Sequence, residues 1–245
     1  MHDKEETKRF YDNWAIKQLE DSDREATLKW KAVNMANLIF RQLKNERINY
    51  ICEISGAEGI VINTLGSLVK AKNKRNYELS EEFCKIGEHL YSDIEFINAE
   101  FGKDSDKNGE SSSIYDMIIL SDITEHVIDD SSFLAEVAKS CKYVVLKMPI
   151  ERCLISHNLA FLVLGRKVPL DRQFGYKHHN GHLRGYTIKS ALNTVSESFD
   201  VLDYKVSDVT YFYPSKRASL VKMLFGERMT TYVFGGALFV LAEAK

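Results

Sequence analysis

Acidic residues recur in this sequence at a regular place, just after short apolar or β-forming runs. Glu53 closes the run 50–52, Glu78 the run 76–77 and Glu100 the run 94–99, while Asp122 and Glu125 follow the run 115–120. A carboxylate at the end of a buried strand can accept hydrogen bonds from the hydroxyls or amines of a ligand. Ser55, Gly56, Ala57 and Gly59 follow Glu53 in a small-residue turn, low enough for a ligand to approach its backbone N–H groups. His182 and then His126 are candidate bases, because imidazole exchanges protons near neutrality. Arg152, Lys177, His178 and Arg184 can offset negative charge on an acceptor. Three of them belong to a basic window from Arg166 to Lys189, in which Asp171 is the one acid.

These residues need a frame that brings strand ends to one edge. The stretch 50–61 reads as a buried strand, a turn and an amphipathic helix over 59–70, which would present a ligand to a helix N-terminus. Strand 76–79 follows, with Glu78 about 20 positions after the turn, where an open α/β sheet sets a carboxylate against ribose hydroxyls. Ser80 reads as an N-cap, with Phe83, Ile86 and Leu90 on the buried face. Further strands are expected over 94–101, 115–120, 143–146, 199–206 and 231–241, with helices around Phe133 to Ala138 and from Thr187 through Val195. Alternation of this kind predicts a doubly wound α/β sheet whose ligands bind beyond the strands' carboxyl ends. Residues 4–45 have a helical pattern: Tyr11 and Trp14 either pack on the sheet or form a flap over the ligand, and Trp30, Val33, Met35, Ala36, Leu38, Ile39, Phe40 and Leu43 form a second apolar set.

The 245 residues suffice for one large domain, 1–245, with a helical cap over 1–45 and an inserted acceptor or lid segment over 149–186. A net charge of -2 and a pI near 6.4 argue against nucleic acid as the main partner. Cys52, Cys84, Cys141 and Cys153 form no C-x-x-C pair and lie mostly among apolar neighbours, which favours buried thiols and a cytoplasmic protein. The N-terminal residues lack the apolar region of a secretory signal, and the apolar stretches are too short for a transmembrane helix; a peripheral membrane contact stays open. His178, His179 and His182 lack the partner ligands that zinc requires, so no metal is expected.

The order of elements resembles the class I S-adenosylmethionine-dependent methyltransferases, in the small-molecule branch with a Glu-His-Val segment after strand four. Residues 53–59, Glu-Ile-Ser-Gly-Ala-Glu-Gly, match that family's acidic-x-Gly-x-Gly-x-Gly turn, with Ser55 and Ala57 where glycine is usual. The resemblance implies a Rossmann-like, seven-stranded, mostly parallel sheet with helices on both faces and an antiparallel last strand beside the fifth. It implies that S-adenosyl-L-methionine is held by Glu53, Ser55, Gly56 and Gly59 at its methionine end, by Glu78 and Leu79 at the ribose and by Glu100 and Phe101 at the adenine. Asp122 through Val127 match the motif after strand four, with Asp122 toward the cofactor. Glu125 either begins a helix or meets the acceptor at the pocket mouth. Residues 181–184, Gly-His-Leu-Arg, resemble a Gly-His-aliphatic segment of surface-polysaccharide relatives. The expected activity is methyl transfer to an oxygen, less often a nitrogen, of a small polar and anionic acceptor.

Two rival readings frame that expectation. Ser55 and Ala57 motivate a non-catalytic protein of the same fold that binds a partner or retains cofactor without turnover. A nicotinamide-dependent enzyme would need G-x-G-x-x-G, which the turn lacks.

Overall fold

The computed structural model describes residues 23–102, 115–153, 181–208 and 216–245. In chain order these form α1 (Arg24–Gln42), β1 (Tyr50–Ile54), α2 (Ile60–Val69), β2 (Asn73–Tyr77), α3 (Glu81–Leu90), β3 (Glu95–Ile97), β4 (Tyr115–Ser121), α4 (Asp130–Ser140), β5 (Cys141–Ile150), α5 (Ile188–Ser198), β6 (Phe199–Asp208), α6 (Lys216–Phe234) and β7 (Gly236–Ala244). The strands form one mixed, mostly parallel seven-stranded sheet in the order β3-β2-β1-β4-β5-β7-β6, with flanking helices. Alternation predicts a doubly wound α/β sheet, and the family resemblance implies its seven strands and mostly parallel order. Chain contacts divide it into two compact units, one comprising residues 1–121, 136–145 and 244, the other 122–135, 146–243 and 245.

In the first unit β1 is the central strand, paired in parallel with β2 and β4. Met117, Ile118, Ile119 and Leu120 of β4 are fully buried, as are Ile51 and Cys52 of β1. Continuous apolar runs of this kind are what a parallel sheet covered on both faces requires. Ala32, Met35, Ala36, Leu38 and Ile39 give α1 its buried stripe, whereas Val33 and Phe40 are exposed because they fall on the opposite helical face. Helix α3 starts at Ser80, whose hydroxyl accepts the Phe83 N–H. Its buried face is Phe83, Cys84 and Gly87, and Leu90 is exposed because α3 ends there. Gly87 is needed: a Cβ there would come within 2.2 Å of the Phe96 ring.

In the second unit α5 is closed at its start by a capping box between Thr187 and Ser190. Strand β7 is buried from Ala237 through Ala242. A Cβ on Gly236 would lie 2.2 Å from the Ser207 carbonyl oxygen, and the Lys245 N–H bonds the Ser198 carbonyl at 3.3 Å. The start of β7 therefore lies beside the end of β6, so the two run antiparallel.

Several boundaries differ from the sequence expectation. β2 begins at Asn73, three polar residues before the expected start, because pairing with β1 overrides their low strand propensity. β3 is only Glu95–Ile97. β5 continues through Pro149 to Ile150 rather than stopping at residue 146. The stretch 231–234 belongs to α6, and Gly235, at φ 89°, breaks the chain from helix to strand. Among the described residues no helix is long and apolar enough to cross a membrane. All four cysteines are buried and unbridged. Tyr11, Trp14, Lys177, His178 and His179 lie outside the described residues, as does 154–180 of the expected insertion.

Candidate functional site

In the first unit, the turn after β1 takes an unusual backbone path. Ser55 and Ala57 have φ of 56° and 49°, and Gly59 has φ of 85°. The left-handed region suits glycine and costs other residues roughly 1–2 kcal/mol. Ser55 and Ala57 thus hold a glycine conformation without being glycine. Gly56 is required for space, because a Cβ there would meet Asn76 Oδ1 at 2.5 Å and the Glu53 carboxyl at 2.6 Å.

Three buried carboxylates surround this turn. Glu53 turns inward, and its Oε2 accepts the Ile62 N–H at 2.9 Å, capping α2 where Gly59 offers no side chain. Burial pushes its pKa up to about 8, with Glu58 and Glu78 adding to the rise. Glu78 accepts the Ala57 N–H at 2.9 Å through Oε2 and the Ser80 N–H at 2.8 Å through Oε1, joining the turn to the start of α3. Burial raises its pKa as well. Glu58 forms a forked pair with Arg24 at the start of α1, one arm of which is the Nη2–Oε2 bond at 2.6 Å. Asn76 completes the ring, accepting the Gly56 N–H and donating to the Ala57 carbonyl. Leu79 and Glu78 offer their carbonyls to Asn98, which draws the end of β3 to the end of β2. Phe101 stacks edge-on against Tyr77 at 5.3 Å, and Glu100 is exposed.

In the second unit, a compact polar cluster forms around Glu125, which has no solvent exposure. The Nε2 atoms of His126 and His182 each lie 4.0 Å from Glu125 Oε1. Burial and the charge of Asp122 raise the Glu125 pKa to about 8, and burial with His182 lowers that of His126 to about 4. Glu151 Oε2 holds His182 Nδ1 at 2.8 Å. Asp122, at φ 58°, pairs with Lys147. Arg184 pairs with Asp130 at 2.7 Å and donates to the Ile128 carbonyl. Tyr186 donates to Asp130 and Thr124, and its backbone bridges to Ile150. Arg152 lines an open cavity of about 870 Å³ with Leu192, Phe225 and Met229.

The fold therefore gathers Glu53, Ser55, Gly56, Gly59 and Glu78 in one unit and Glu125, His126 and His182 in the other. Sequence reasoning missed Glu58, Arg24, Asn76 and Glu151. Glu58 sits inside the motif itself, and Glu151 carries the strand-end signal once β5 is read through Pro149. Nothing in the sequence links Arg24 to Glu58.

No protein-family model matches the chain, and no curated protein matches it in sequence. Solved structures do match. The magnesium protoporphyrin IX methyltransferase ChlM of Synechocystis PCC 6803, solved with bound SAH, aligns at TM-score 0.64 and 9% identity over 99% of this chain and 100% of that one. A chain of the Haloferax volcanii complex that contains the Trm112 methyltransferase activator aligns at TM-score 0.63 and 13% identity over 96% and 97%. The [4+2]-cyclase SpnF aligns at 0.56 and 12% over 86% and 80%. A fold shared with a cyclase does not fix the reaction. With its strand order and these alignments, the chain has the fold of the class I S-adenosylmethionine-dependent methyltransferases.

Proposed function

We propose that this protein transfers the methyl group of S-adenosylmethionine to an oxygen, in preference to a nitrogen, of a small polar acceptor. A sugar, nucleotide-linked sugar or cell-envelope precursor fits the description, and the cytoplasm is the proposed compartment. The observation that carries this reading is the ring of buried carboxylates Glu53, Glu58 and Glu78 around the turn at the start of α2. Helix N-termini commonly receive phosphate. The ring's carboxyl oxygens suit a ligand bearing an ammonium and a sulfonium better than a pyrophosphate, although burial keeps Glu53 protonated up to about pH 8. Glu78 fits a ribose hydroxyl, since the backbone N–H groups of Ala57, Leu79 and Ser80 leave one of the carboxylate's four lone-pair positions for it.

When bound, the cofactor supplies a methyl carbon on a sulfonium, so an acceptor oxygen can displace it in line while the C–S electron pair returns to sulfur. The protein has to hold the turn, orient the acceptor and remove one proton. Glu151 orients His182 through Nδ1, and Nε2 is the atom proposed to receive that proton. Arg152, with Lys177 and His178 from the basic window, is proposed to meet the acceptor's negative charge.

A second reading rests on the self-satisfied turn, in which Glu78 and Asn76 already occupy the Ala57 and Gly56 N–H groups. It describes a protein of this fold that binds a partner without turnover. Calorimetric titration with S-adenosylmethionine and S-adenosylhomocysteine separates the two. Micromolar binding, weakened by about 1–3 kcal/mol in Glu78→Ala, is expected for the methyltransferase. Absence of binding by folded protein would favour the second reading.

A further inference from the structure

We propose that Glu125, His126 and His182 form a binding site for one divalent transition-metal cation. Their donor atoms all lie within 4.8 Å of one another, although the three residues come from two distant places in the sequence. His182 Nε2 and His126 Nε2 approach the same atom, Glu125 Oε1, at 4.0 Å. That distance is beyond hydrogen-bond reach. Oε1 is buried and has no hydrogen-bond partner, an expensive state for a buried acceptor oxygen that the charge of Lys147 offsets only in part. Two donors bound to one ion at about 2.1 Å can stand up to roughly 4.2 Å apart, so small side-chain shifts close this set around a cation.

A second feature points the same way. Glu151 binds the far nitrogen of His182 at 2.8 Å, and metal-binding imidazoles are oriented in this manner by a carboxylate on the opposite nitrogen. The rings of His126 and His182 meet edge-on at 4.9 Å and 85°, which leaves their Nε2 atoms on the Glu125 side. The sequence alone suggests no metal because His178 and His179 offer His182 no carboxylate. The fold supplies one from the segment after β4.

Two imidazoles and one carboxylate select a borderline ion such as Zn²⁺, Co²⁺ or Ni²⁺ over Mg²⁺ or Ca²⁺. Three protein donors leave coordination positions open. The cation site itself is independent of methyl transfer. Its use there rests on the proposed function: an acceptor hydroxyl in an open position would lose its proton to solvent water more readily beside a Lewis acid. His182 and His126 would then act as ligands, and Glu151 as a positioning residue.

The test uses the full chain, stripped with chelator and titrated with Co²⁺ and with Zn²⁺ in the absence of cofactor. One Co²⁺ per chain, with visible absorption bands, is expected. Glu125→Gln and His126→Ala should each weaken binding by at least about 100-fold, and Glu151→Gln by about 10-fold at unchanged stoichiometry. Zn²⁺ should raise the melting temperature of the wild-type chain and leave those of Glu125→Gln and His126→Ala unmoved. Metal-free melts establish that the variants fold. No uptake by folded wild-type protein, or equal affinity in Glu125→Gln and His126→Ala, would overturn the site. Titration of the same samples with S-adenosylhomocysteine reads the cofactor separately: metal uptake without it leaves the cation site standing, and cofactor binding without metal removes it.

Discussion

Arg24, the first residue of α1, grips both carboxylate oxygens of Glu58, a residue inside the turn after β1. Glu58 is buried, and its partner is 34 residues earlier in the chain. The pair therefore ties the start of α1 to the segment proposed to hold the cofactor. Removing one partner of a buried pair leaves the other charge uncompensated, at a cost of roughly 3–5 kcal/mol. Arg24→Ala is expected to destabilise by about that much and to weaken S-adenosylhomocysteine binding. Denaturant melts and calorimetry check both, and a wild-type midpoint in Arg24→Ala would show that the pair contributes nothing.

Glu53 sets a pH dependence. Its folded pKa is about 8, above the ordinary carboxylate value of 4.5. Below 4.5 the group is protonated in both states and its contribution is complete. As pH rises toward 8 the unfolded chain releases the proton while the folded chain keeps it, so stability falls by on the order of 1 kcal/mol per pH unit and levels off above. Glu53→Gln should flatten that part of the profile. Melts of both proteins between pH 5 and pH 8 make the comparison, and parallel profiles would exclude Glu53 as the source.

The left-handed turn gives two opposite expectations. Ala57→Gly removes strain of about 1–2 kcal/mol and adds unfolded-state freedom of about 0.4–1 kcal/mol, so a small gain in stability should result. Gly56→Ala should lose several kcal/mol, because its Cβ would strike Asn76 and Glu53 at 2.5 and 2.6 Å. Thermal melts rank the three proteins. A neutral Gly56→Ala would mean that the turn is looser than this geometry.

Arg184 holds the segment after β4 to the one before α5 through Asp130 and the Ile128 carbonyl. Arg184→Ala is expected to cost about 1–3 kcal/mol, the range for losing hydrogen bonds to a charged group. Restoration by Arg184→Lys should be partial, since an ammonium cannot reproduce the forked geometry. If Arg184 instead meets the acceptor, its loss would raise the Michaelis constant with stability unchanged.

The sheet was legible because buried strands announce themselves as apolar runs, and the carboxylates because each stands where such a run ends. Boundaries were harder for identifiable reasons. Asn73, Lys74 and Arg75 look nothing like a strand, and only pairing with β1 makes them one. Thr231 to Leu241 is nearly continuous in apolar character, and helix and strand share that signature until Gly235 separates them. Pro149 reads as a break, yet β5 runs past it, which hid Glu151. The convergence of Glu125 with His182 depends on chain packing across more than fifty positions, and local patterns carry no trace of it.

The place of β7 has a consequence for how the protein reaches its native state. β7 follows β6 in the sequence, yet it lies between β5 and β6 in the sheet. β6 cannot settle into its final position until residues 236–244 arrive to separate it from β5. During synthesis on the ribosome, that edge of the sheet must wait for a late segment, with β6 meanwhile lacking its native neighbour. A chain cut short before Gly236 would therefore lose two strand positions instead of one, and β6, an edge strand in the native sheet, would be left with both edges open to pairing with other chains.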